Sequence, residues 1–420
     1  MAVIRSATLA ASRDRTRVGP RTAVARLAAR WAGATARSLH GGSGTVIGGR
    51  VLMALAPQAP SRLSHHRVVT LVSGTNGKTT TTALTVAALG TPAGSNRDGA
   101  NTAAGIAGAL ASCDLPRMVL EVDEGWLPWA VEVTQPRSVV LTNLTRDQLS
   151  RHHEVSGIAS AWRRALAGVP VVVANADDPA VVWAALAARH QVWVSAGERW
   201  TADSLVCPAC GGACRRTADS WACQACPLRR PEPDWCLDGD AVVGRLGRVR
   251  LHLALPGDFN RGNAALALAV AQVTDAVAPE AGAVRLAEVP SVSGRYERAR
   301  VGEHDVRLML AKNPAGWLEL LDLLAGGDHP VVLLFNAEGV DGRDPSWLYD
   351  VSFASLRGRD VRVQGRRATD LLVRLRYDGV AAQAVPGRLA AALATLPVGP
   401  VDVIGNYTAF RSALAELHGG

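Results

Sequence analysis

The clearest pattern along the chain is an alternation of short apolar runs with longer segments whose apolar residues recur at helical spacing. Runs rich in β-branched residues occur at RVVTLVSG, RMVLEVDE, RSVVLTNL and VPVVVANADDP, between residues 67 and 179. Helical segments such as TTTTALTVAALG and SGIASAWRRALAG lie between them. Strands that alternate with helices indicate an α/β fold, in which helices cover both faces of a parallel sheet.

The same alternation returns towards the C-terminus. Strands are predicted around VRLMLA, PVVLLFNAE, DVRVQG and PVDVIGNY. We therefore expect a central domain over residues 46–300 and a smaller α/β domain over residues 301–420. A helix is predicted over residues 20–40, within an Arg-rich segment of residues 1–45. The stretches GGSGTVIGG and APQAPS that follow it are interpreted as a connection, because Gly and Pro interrupt regular structure.

Charge is distributed unevenly over the 420 residues, whose formal net charge is +8. Residues 1–70 contain 11 Arg and one Asp, whereas the rest of the chain is close to neutral. The basic excess therefore indicates a solvated helix face rather than a nucleic-acid surface, with anionic lipid or a nucleotide pyrophosphate as alternative partners. No apolar run reaches the ~20 residues that span a bilayer, and a cytoplasmic protein is expected.

Candidate chemistry begins at SGTNGKTTT, which follows a predicted strand and begins a predicted helix. At such a junction the helix N-terminus presents free N–H groups to a phosphate. Lys78 is one of only two lysines, the other being Lys312. It would neutralise the β- and γ-phosphates, while the Thr79 hydroxyl would ligate Mg²⁺. The general motif has Gly six residues before the lysine, where this chain has Val72, so the match is incomplete.

Six of the seven cysteines lie within residues 203–236, where the alternation stops. Two C-x2-C pairs separated by twelve residues are formed by Cys207, Cys210, Cys223 and Cys226. Four sulfur ligands suit tetrahedral Zn²⁺ and leave no open position, so an inserted structural zinc ribbon is predicted. Two disulfides are the alternative, which a reducing compartment disfavours. Cys214 and Cys236 are left over, and either could replace a ligand.

GTNGKT is the form of the phosphate loop used by the Mur ligase and folylpolyglutamate synthase superfamily, and further motifs resemble that superfamily in its order. They are VLEVDEG, LTNLTRDQL, NADDP, PGDFNRGN and GRYE. The resemblance implies a Mur-ligase-type central P-loop ATPase domain with a parallel sheet and the inserted ribbon. A smaller Rossmann-like α/β domain is expected after it. ATP and Mg²⁺ are the implied cofactors, beside Zn²⁺ in the ribbon.

The resemblance also implies roles for individual residues. The nucleotide phosphates are expected at Gly74, Thr75, Asn76, Gly77, Lys78, Thr79 and Thr80. Glu121 would hold Mg²⁺ together with Thr79, and Arg295 would lie near the phosphates. Asn260 and Asn263 would approach the adenine, with helix capping as the alternative for each.

The chain differs in two respects from the amino-acid-adding Mur ligases, and both bear on the predicted substrate. Those enzymes hold a second metal with a carbamylated lysine, and this chain has no lysine between Lys78 and Lys312. They also carry a full UDP-binding domain before the loop, for which the preceding segment is too short. A ligase acting on a nucleotide-linked precursor is therefore disfavoured.

A short Mur-like core with a zinc ribbon and a small α/β domain resembles the MurT subunits of lipid II isoglutaminyl synthases. LAKNPAGW, DGRDPSWLYDVSF and GNYTAF match the C-terminal pattern of that family. The resemblance implies ATP-dependent amidation of the D-glutamate α-carboxylate of lipid II to D-isoglutamine, through an acyl phosphate. Ammonia would come from a glutaminase partner of the GatD type in a heterodimer.

In that family an Asp of the synthetase subunit is thought to complete the partner's Cys-His pair. The segment DGRDPSWLYD offers Asp341, Asp344 and Asp350, of which Asp350 is favoured for this role. An acid that orients a histidine need only accept a hydrogen bond from Nδ1–H, so an Asp on a loop suffices. The alternative is that these residues cap turns and helices. Trp347 beside them is expected to anchor the interface.

Two other functions remain in consideration from the sequence. One is an amino-acid-adding ligase of the folylpolyglutamate type, against which the ribbon and the short N-terminal segment argue. The other is a nucleic-acid-binding ATPase that uses the ribbon as a reader. The near-neutral charge beyond residue 70 and the 5% of aromatic residues count against that function.

Overall fold

The computed structural model describes residues 19–40, 44–96, 99–146, 155–198, 200–245, 247–292, 295–341 and 344–418. Residues 1–18 of the Arg-rich arm and residues 147–149 of LTNLTRDQL lie outside the described residues, as do Gly294 of GRYE and residues 342–343 of DGRDPSWLYD. None of the described helices offers an apolar stretch of sufficient length to span a bilayer.

The first sheet contains, among the described residues, eight strands. The strands of this part of the chain are β1 (Val68–Ser73), β2 (Arg117–Val122), β3 (Ser138–Leu141), β4 (Val171–Asn175), β5 (His190–Ser195), β6 (Cys214–Arg216), β7 (Trp221–Cys223), β8 (Trp235–Asp238), β9 (Ala241–Gly244) and β10 (Gly247–Arg250). The spatial order is β10-β9-β8-β5-β4-β3-β1-β2, and β6 and β7 form a separate hairpin. Strands β1 to β5 are parallel, which confirms the fold class.

Helices cover both faces of this sheet. They are α1 (Pro20–His40), α2 (Thr45–Leu55), α3 (Ala59–Ser64), α4 (Lys78–Leu89), α5 (Ala103–Ser112), α6 (Leu127–Thr134), α7 (Val155–Leu166), α8 (Pro179–Ala185), α9 (Asp258–Asp275) and α10 (Pro279–Ala287). The core with α4, α9 and α10 contains Val72 of β1, and the core with the other helices contains Val69 and Leu71. Each strand thus contributes side chains to two hydrophobic cores, because successive side chains point to opposite faces of the sheet.

The interpretation of GGSGTVIGG and APQAPS as a connection is wrong, because α2 and α3 occupy most of it. The glycines there permit close helix packing. A Cβ on Gly49 would lie 1.7 Å from the carbonyl oxygen of Ala104 in α5. A Cβ on Gly48 would lie 2.7 Å from the carbonyl oxygen of Ala29 in α1. The glycines therefore let three helix backbones meet on one face of the sheet.

Strands β8 to β10 extend the sheet beyond β5 with antiparallel pairs that the alternation did not predict. Strand β8 itself pairs with β5 in parallel. The two residues between β8 and β9 are Gly239 and Asp240, and Gly239 has φ 59°. This Gly-Asp pair between two apolar runs is a hairpin signal that could have revealed the edge.

The second sheet contains six strands among the described residues, in the order β11-β12-β16-β13-β14-β15. Its elements are β11 (Tyr296–Val301), β12 (His304–Leu310), β13 (Val331–Leu334), β14 (Val361–Gln364), β15 (Ala382–Ala384), β16 (Gly399–Gly405), α11 (Pro314–Ala325), α12 (Ala368–Tyr377), α13 (Leu389–Leu393) and α14 (Tyr407–His418). All neighbours are parallel except β11 and β12, and α11 and α12 lie opposite α13 and α14. The division at residues 45 and 300 stays a prediction.

Candidate functional site

A glycine-rich loop joins β1 to α4. Gly74 has φ 143° and Gly77 has φ 82°. A Cβ on Gly74 would lie 1.9 Å from Thr142 Oγ1, and a Cβ on Gly77 would lie 2.4 Å from Asn263 Oδ1. Because positive φ and close neighbours coincide at both positions, only glycine fits. The loop thus runs directly into a helix N-terminus, a geometry that suits phosphate oxygens.

Lys78 is buried at the start of α4, with its side chain 2% exposed. Its Nζ donates to the carbonyl oxygens of Gly74 and Thr75, the latter at 3.2 Å. It also donates to Glu124 Oε2 at 2.9 Å. Burial alone would raise the pKa of Glu124, but the charges of Lys78 and Lys312, together with the hydrogen bonds to its carboxylate, outweigh burial and lower the pKa to about 2. Glu124 is therefore a carboxylate at neutral pH that neutralises the lysine.

Glu124 was not among the residues predicted from the sequence. It is the third acid of VLEVDEG, in a short 3₁₀ turn just after β2. Because β2 neighbours β1, the residues that follow the two strands meet at one edge of the sheet. The position of Glu124 just after a strand could have indicated a site residue, but the family resemblance assigned the acidic role in this segment to Glu121.

The second domain reaches the same loop. Asn76 Nδ2 donates to Asn313 Oδ1 at 3.2 Å, and Asn313 Nδ2 donates to Asn76 Oδ1 at 3.1 Å. Asn313 also caps α11 by accepting a hydrogen bond from the Gly316 N–H at 2.9 Å. Its neighbour Lys312 adds to the positive charge that acts on Glu124. Both lysines of the chain therefore influence one carboxylate, although they come from different domains.

The residues predicted to hold Mg²⁺ are Thr79 in the first turn of α4 and Glu121 on β2, the strand beside β1. Thr79 Oγ1 lies 3.4 Å from Arg295 Nη2. Glu121 is opposite Val72 in the register of β2 and β1, and its Oε1 accepts a hydrogen bond from Asn101 Nδ2 at 3.0 Å. Hydroxyl and carboxylate oxygens fit Mg²⁺ that also binds substrate phosphates. The magnesium roles of Thr79 and Glu121 stay predictions, as does the phosphate role of Arg295.

Asn260 and Asn263 lie inside α9, and Gly257 occupies its N-cap position, so the capping alternative does not hold. Asn260 Nδ2 donates to the Pro256 carbonyl oxygen at 2.7 Å. Asn263 Nδ2 donates to Asn260 Oδ1 at 3.3 Å, and its Oδ1 accepts the Thr81 hydroxyl at 3.1 Å. Asn263 therefore packs against the phosphate-loop helix. The adenine contacts of both residues stay predictions.

A cavity of about 410 Å³ opens between the two sheets, a size that suits a small-molecule ligand. The predicted nucleotide-binding residues that line it are Asn76, Gly77, Thr80, Asn260, Asn263 and Arg295. Helix α11 contributes Gly316 and Glu319 from the other domain. A further wall, which the sequence did not predict, consists of residues 196–198 with Asn175 and Trp200.

The four cysteines of the two C-x2-C pairs converge, and their sulfur atoms lie within 4.8 Å of one another. The sulfurs of Cys207 and Cys226 are 3.7 Å apart, and those of Cys210 and Cys223 are 3.5 Å apart. Sulfurs placed tetrahedrally around zinc, each at ~2.3 Å, are about 3.8 Å apart. The cluster therefore fits Zn²⁺.

Backbone N–H groups support the same cluster. The N–H of Gly212 points at Cys210 Sγ at 3.4 Å, and that of Ala225 points at Cys223 Sγ at 3.3 Å. The Ala225 contact lowers the pKa of Cys223 to about 7 and so favours the thiolate that a metal needs. Cys214 and Cys236 are not members of the cluster.

The three candidate acids of DGRDPSWLYD differ in their surroundings. Asp341 accepts hydrogen bonds from the hydroxyl and the backbone N–H of Thr408, the latter at 3.2 Å. Asp344 accepts the Ser346 N–H at 2.9 Å, just before a 3₁₀ turn over Ser346–Asp350. Asp350 ends that turn, has a side chain 43% exposed, and lies 3.3 Å from Arg146 Nη2. Local hydrogen bonds thus engage Asp341 and the exposed Asp344, whereas the exposed carboxylate of Asp350 pairs with Arg146 at a rim between the domains.

Two family models match the chain. The Mur ligase middle domain matches residues 72–207, and the MurT ligase C-terminal model matches residues 310–410. These ranges include the phosphate loop on one side of the cavity and α11 on the other. Both parts of the chain are therefore similar to MurT ligases of the Mur ligase superfamily. Mur ligases use ATP and Mg²⁺, and the chain is an ATP-dependent carbon–nitrogen ligase.

Relatives and solved structures extend the similarity along the chain. The lipid II isoglutaminyl synthase (glutamine-hydrolyzing) subunit MurT of Streptococcus pneumoniae is 27% identical over 383 residues, which cover 82% of this chain and 84% of that protein. The Staphylococcus aureus subunit of the same name is 28% identical over 429 residues, which cover 94% and 96%. MurF of Acinetobacter baumannii shares the fold with a TM-score of 0.64 at 17% identity, covering 88% of this chain and 81% of that chain.

Replacement of Glu124 by Gln is expected to lower the free energy of unfolding by about 3–5 kcal/mol, because it leaves the Lys78 charge buried without its carboxylate. Denaturant unfolding measures this, with the exposed Glu132→Gln on α6 as control. The pKa of Glu124 is about 2 when folded and 4.5 ordinarily. The stabilisation is therefore present above pH 4.5 and lost as the pH falls towards 2. Equal stability of the two variants would contradict the role of the pair.

Protein purified without chelators is expected to contain about one zinc per chain, as elemental analysis can measure. Cys210→Ser should remove the metal and lower stability, because three sulfurs hold zinc less tightly than four. Cys236→Ser is the matched control and should keep the metal, since Cys236 lies outside the cluster. Metal-free wild-type protein of full stability, with its cysteines oxidised, would favour the disulfide alternative.

Proposed function

We propose that the chain is the synthetase subunit of a two-subunit amidotransferase that converts the D-glutamate α-carboxylate of lipid II to D-isoglutamine. The observation that carries this proposal is the match to MurT subunits over 94% of the chain, through both domains and the phosphate loop. A solved structure of the same fold, Mycobacterium tuberculosis folylpolyglutamate synthase, contains ADP and AMPPCP. It has a TM-score of 0.59 at 19% identity and covers 88% of this chain and 94% of that chain.

The proposed reaction has two balanced steps. A carboxylate oxygen attacks the γ-phosphorus of ATP and gives an acyl phosphate and ADP. The nitrogen of ammonia then attacks the acyl carbon, the C–O bond breaks, phosphate leaves with the bonding electron pair, and the nitrogen loses a proton. The first step is necessary because a carboxylate is a weak electrophile and its oxygen is a poor leaving group.

The residues of the chain act mainly by positioning and charge neutralisation. The backbone N–H groups of residues 74–80 would hold the phosphates. Lys78 and Arg295 would neutralise the charge of the transferred group, because Lys78 begins α4 and the Arg295 guanidinium lies 3.4 Å from Thr79 Oγ1 in the same first turn. Bound Mg²⁺ would add positive charge at the phosphates, and Thr79 and Glu121 are the residues proposed to hold it. A lysine that is 2% exposed acts in a site of low dielectric, where its charge has most effect.

A glutaminase partner of the GatD type is proposed as the source of ammonia. Asp350 would accept the Nδ1–H of the partner's histidine and so fix its tautomer. Two observations support Asp350 over its neighbours. Its carboxylate is exposed, and the corresponding oxygens of Asp341 and Asp344 bind Thr408 and the Ser346 N–H within the domain.

Exposed aromatic rings lie beside Asp350. Tyr349 is 56% exposed and Tyr377 at the end of α12 is 76% exposed, with ring centroids 6.5 Å apart. Exposed tyrosines are enriched at binding surfaces. Trp347, for which an anchoring role was predicted, is half-buried and packs against Phe335 with ring centroids 5.6 Å apart. We therefore propose the tyrosine pair as the anchors of the partner.

Lys78→Ala is expected to abolish ATP-dependent amidation of lipid II. Lys78→Arg should fail as well, because a planar guanidinium does not fit a cradle built for a compact ammonium. Turnover is measured with the partner present, and co-purification with the partner is the control for folding. Undiminished turnover in either variant would exclude Lys78 from the phosphate site.

Asp350→Asn is expected to reduce glutamine-driven amidation by up to about 10⁴-fold, the loss that follows removal of the acid from a serine protease triad. With ammonium at high pH instead of glutamine, the variant should amidate nearly as well as wild type, because the site around Lys78 is intact. Asp344→Asn is the matched control and should behave as wild type. Equal loss with both nitrogen sources would place Asp350 in the ligase site or in the fold.

A further inference from the structure

The zinc ribbon packs directly on the segment that forms the unpredicted wall of the cavity. Trp221 of β7 is 2% exposed, and its Nε1 donates to the Ala176 carbonyl oxygen at 3.0 Å. Ala176 directly follows Asn175, which lines the cavity. The ribbon is therefore anchored one residue away from the cavity, although no cysteine is among the described residues that line it.

Arg216 of β6 reaches from the ribbon to the cavity wall. It donates to the carboxylate of Glu198, to Ser204 Oγ at 2.7 Å and to the Asp177 carbonyl oxygen at 3.2 Å. Glu198 lines the cavity, and its side chain is 5% exposed. Burial raises the pKa of Glu198 well above its usual range, and the charge of Asp178 adds to this, whereas Arg216 opposes both. Arg216 is thus the cation that compensates a buried acid in the wall.

Arg230, just beyond the second cysteine pair, makes a parallel connection. Its Nε donates to Asp177 Oδ1 at 2.7 Å, and its Nη2 donates to Ser195 Oγ at 2.9 Å. Asp177 Oδ2 in turn accepts the Gly197 N–H at 2.8 Å. Two ribbon arginines therefore hold residues 195–198 at both ends.

The other side of residues 195–198 faces the helix that carries the candidate nucleotide asparagines. A Cβ on Gly262 of α9 would lie 2.2 Å from the Ala196 carbonyl oxygen, so wall and helix are in close contact. Asn175 Nδ2 also donates to the Gly197 carbonyl oxygen at 3.1 Å. A shift of residues 195–198 would therefore change the width of the cavity beside Asn260 and Asn263.

We propose that the ribbon is a positioning element of the ligand cavity, in which Arg216 and Arg230 fix residues 195–198 in the conformation that receives the nucleotide. The cysteine cluster would then act on ligand affinity through these two side chains and not by contact. This inference rests on the proposed function in one respect, namely that the ligand of the cavity is ATP.

The test compares Arg216→Gln with Arg215→Gln in the full chain, using ADP with Mg²⁺ as the probe in titration calorimetry. Arg215 is the neighbouring residue of the same strand and is exposed, so it controls for charge and for the ribbon fold. Arg216→Gln is expected to weaken ADP binding about tenfold, which corresponds to ~1.4 kcal/mol. Zinc content should stay at about one per chain, and Arg215→Gln should bind as wild type.

Two further measurements separate positioning from a general effect on folding. Arg216→Lys keeps the positive charge and should recover most of the affinity that Arg216→Gln loses. In turnover assays, Arg216→Gln should raise KM for ATP and leave kcat within about twofold, since Arg216 does not touch the reacting atoms. If Arg216→Gln does not fold, Arg230→Gln and its exposed neighbour Arg229→Gln give the same comparison.

The outcomes distinguish this inference from the proposed function. Wild-type protein that does not bind ADP with Mg²⁺ would overturn the proposed function and the inference with it. Wild-type binding together with unchanged affinity in folded, zinc-containing Arg216→Gln would overturn the inference alone. A uniform loss of kcat with unchanged KM would also overturn it, because that result indicates a different role.

Discussion

A buried ion pair, Lys78 with Glu124, is the interaction on which the rest of the site depends. The two side chains are 2% and 5% exposed, so water compensates neither charge. Desolvation of such a pair is offset only by good geometry and further hydrogen bonds, which Gly74 and Thr75 supply here. The charge of Lys312 reaches the same carboxylate from the second domain. The phosphate loop and the second domain thereby both interact with one carboxylate, that of Glu124 at the end of β2.

Close approach of backbones is the second constraint. Gly77 lies against Asn263, and Gly262 lies against Ala196, with no room for a Cβ at either glycine. Helix α9 therefore contacts the phosphate loop on one side and the ribbon-supported wall, residues 195–198, on the other. Because α9 has no freedom to move towards either neighbour, the distance between loop and wall is fixed by packing. The cavity is in this sense built before a ligand enters.

Features with a fixed local spacing could be predicted from the sequence, and features that join distant segments could not. The loop around Lys78 and the four cysteines follow spacings that their chemistry imposes, and the strands up to β5 follow from periodicity. Helix α2 was missed because its glycines resemble turn residues and in fact serve packing. The contacts of Arg216 with Glu198 and of Asn76 with Asn313 leave no pattern along the chain, since only the fold brings these residues together. Asp350 could be nominated from its segment, but only the fold shows that local hydrogen bonds engage the carboxylates of Asp341 and Asp344.

The ion pair of Asp350 with Arg146 is exposed to solvent, whereas the pair of Lys78 with Glu124 is buried. The proposed division of labour between two subunits requires this exposure at Asp350. Its side chains are 43% and 36% exposed, and Arg146 also pairs with Asp203 at 2.5 Å. An exposed pair of this kind contributes about 0–1 kcal/mol, so a partner imidazole could replace Arg146 at Asp350 with little loss of stability. Arg146 would then keep Asp203 and its place over the Trp200 ring at the cavity. An aspartate that completes the site of another chain must be able to exchange its own ion-pair partner for a residue of that chain. A lysine that binds a phosphate must instead be held in one position.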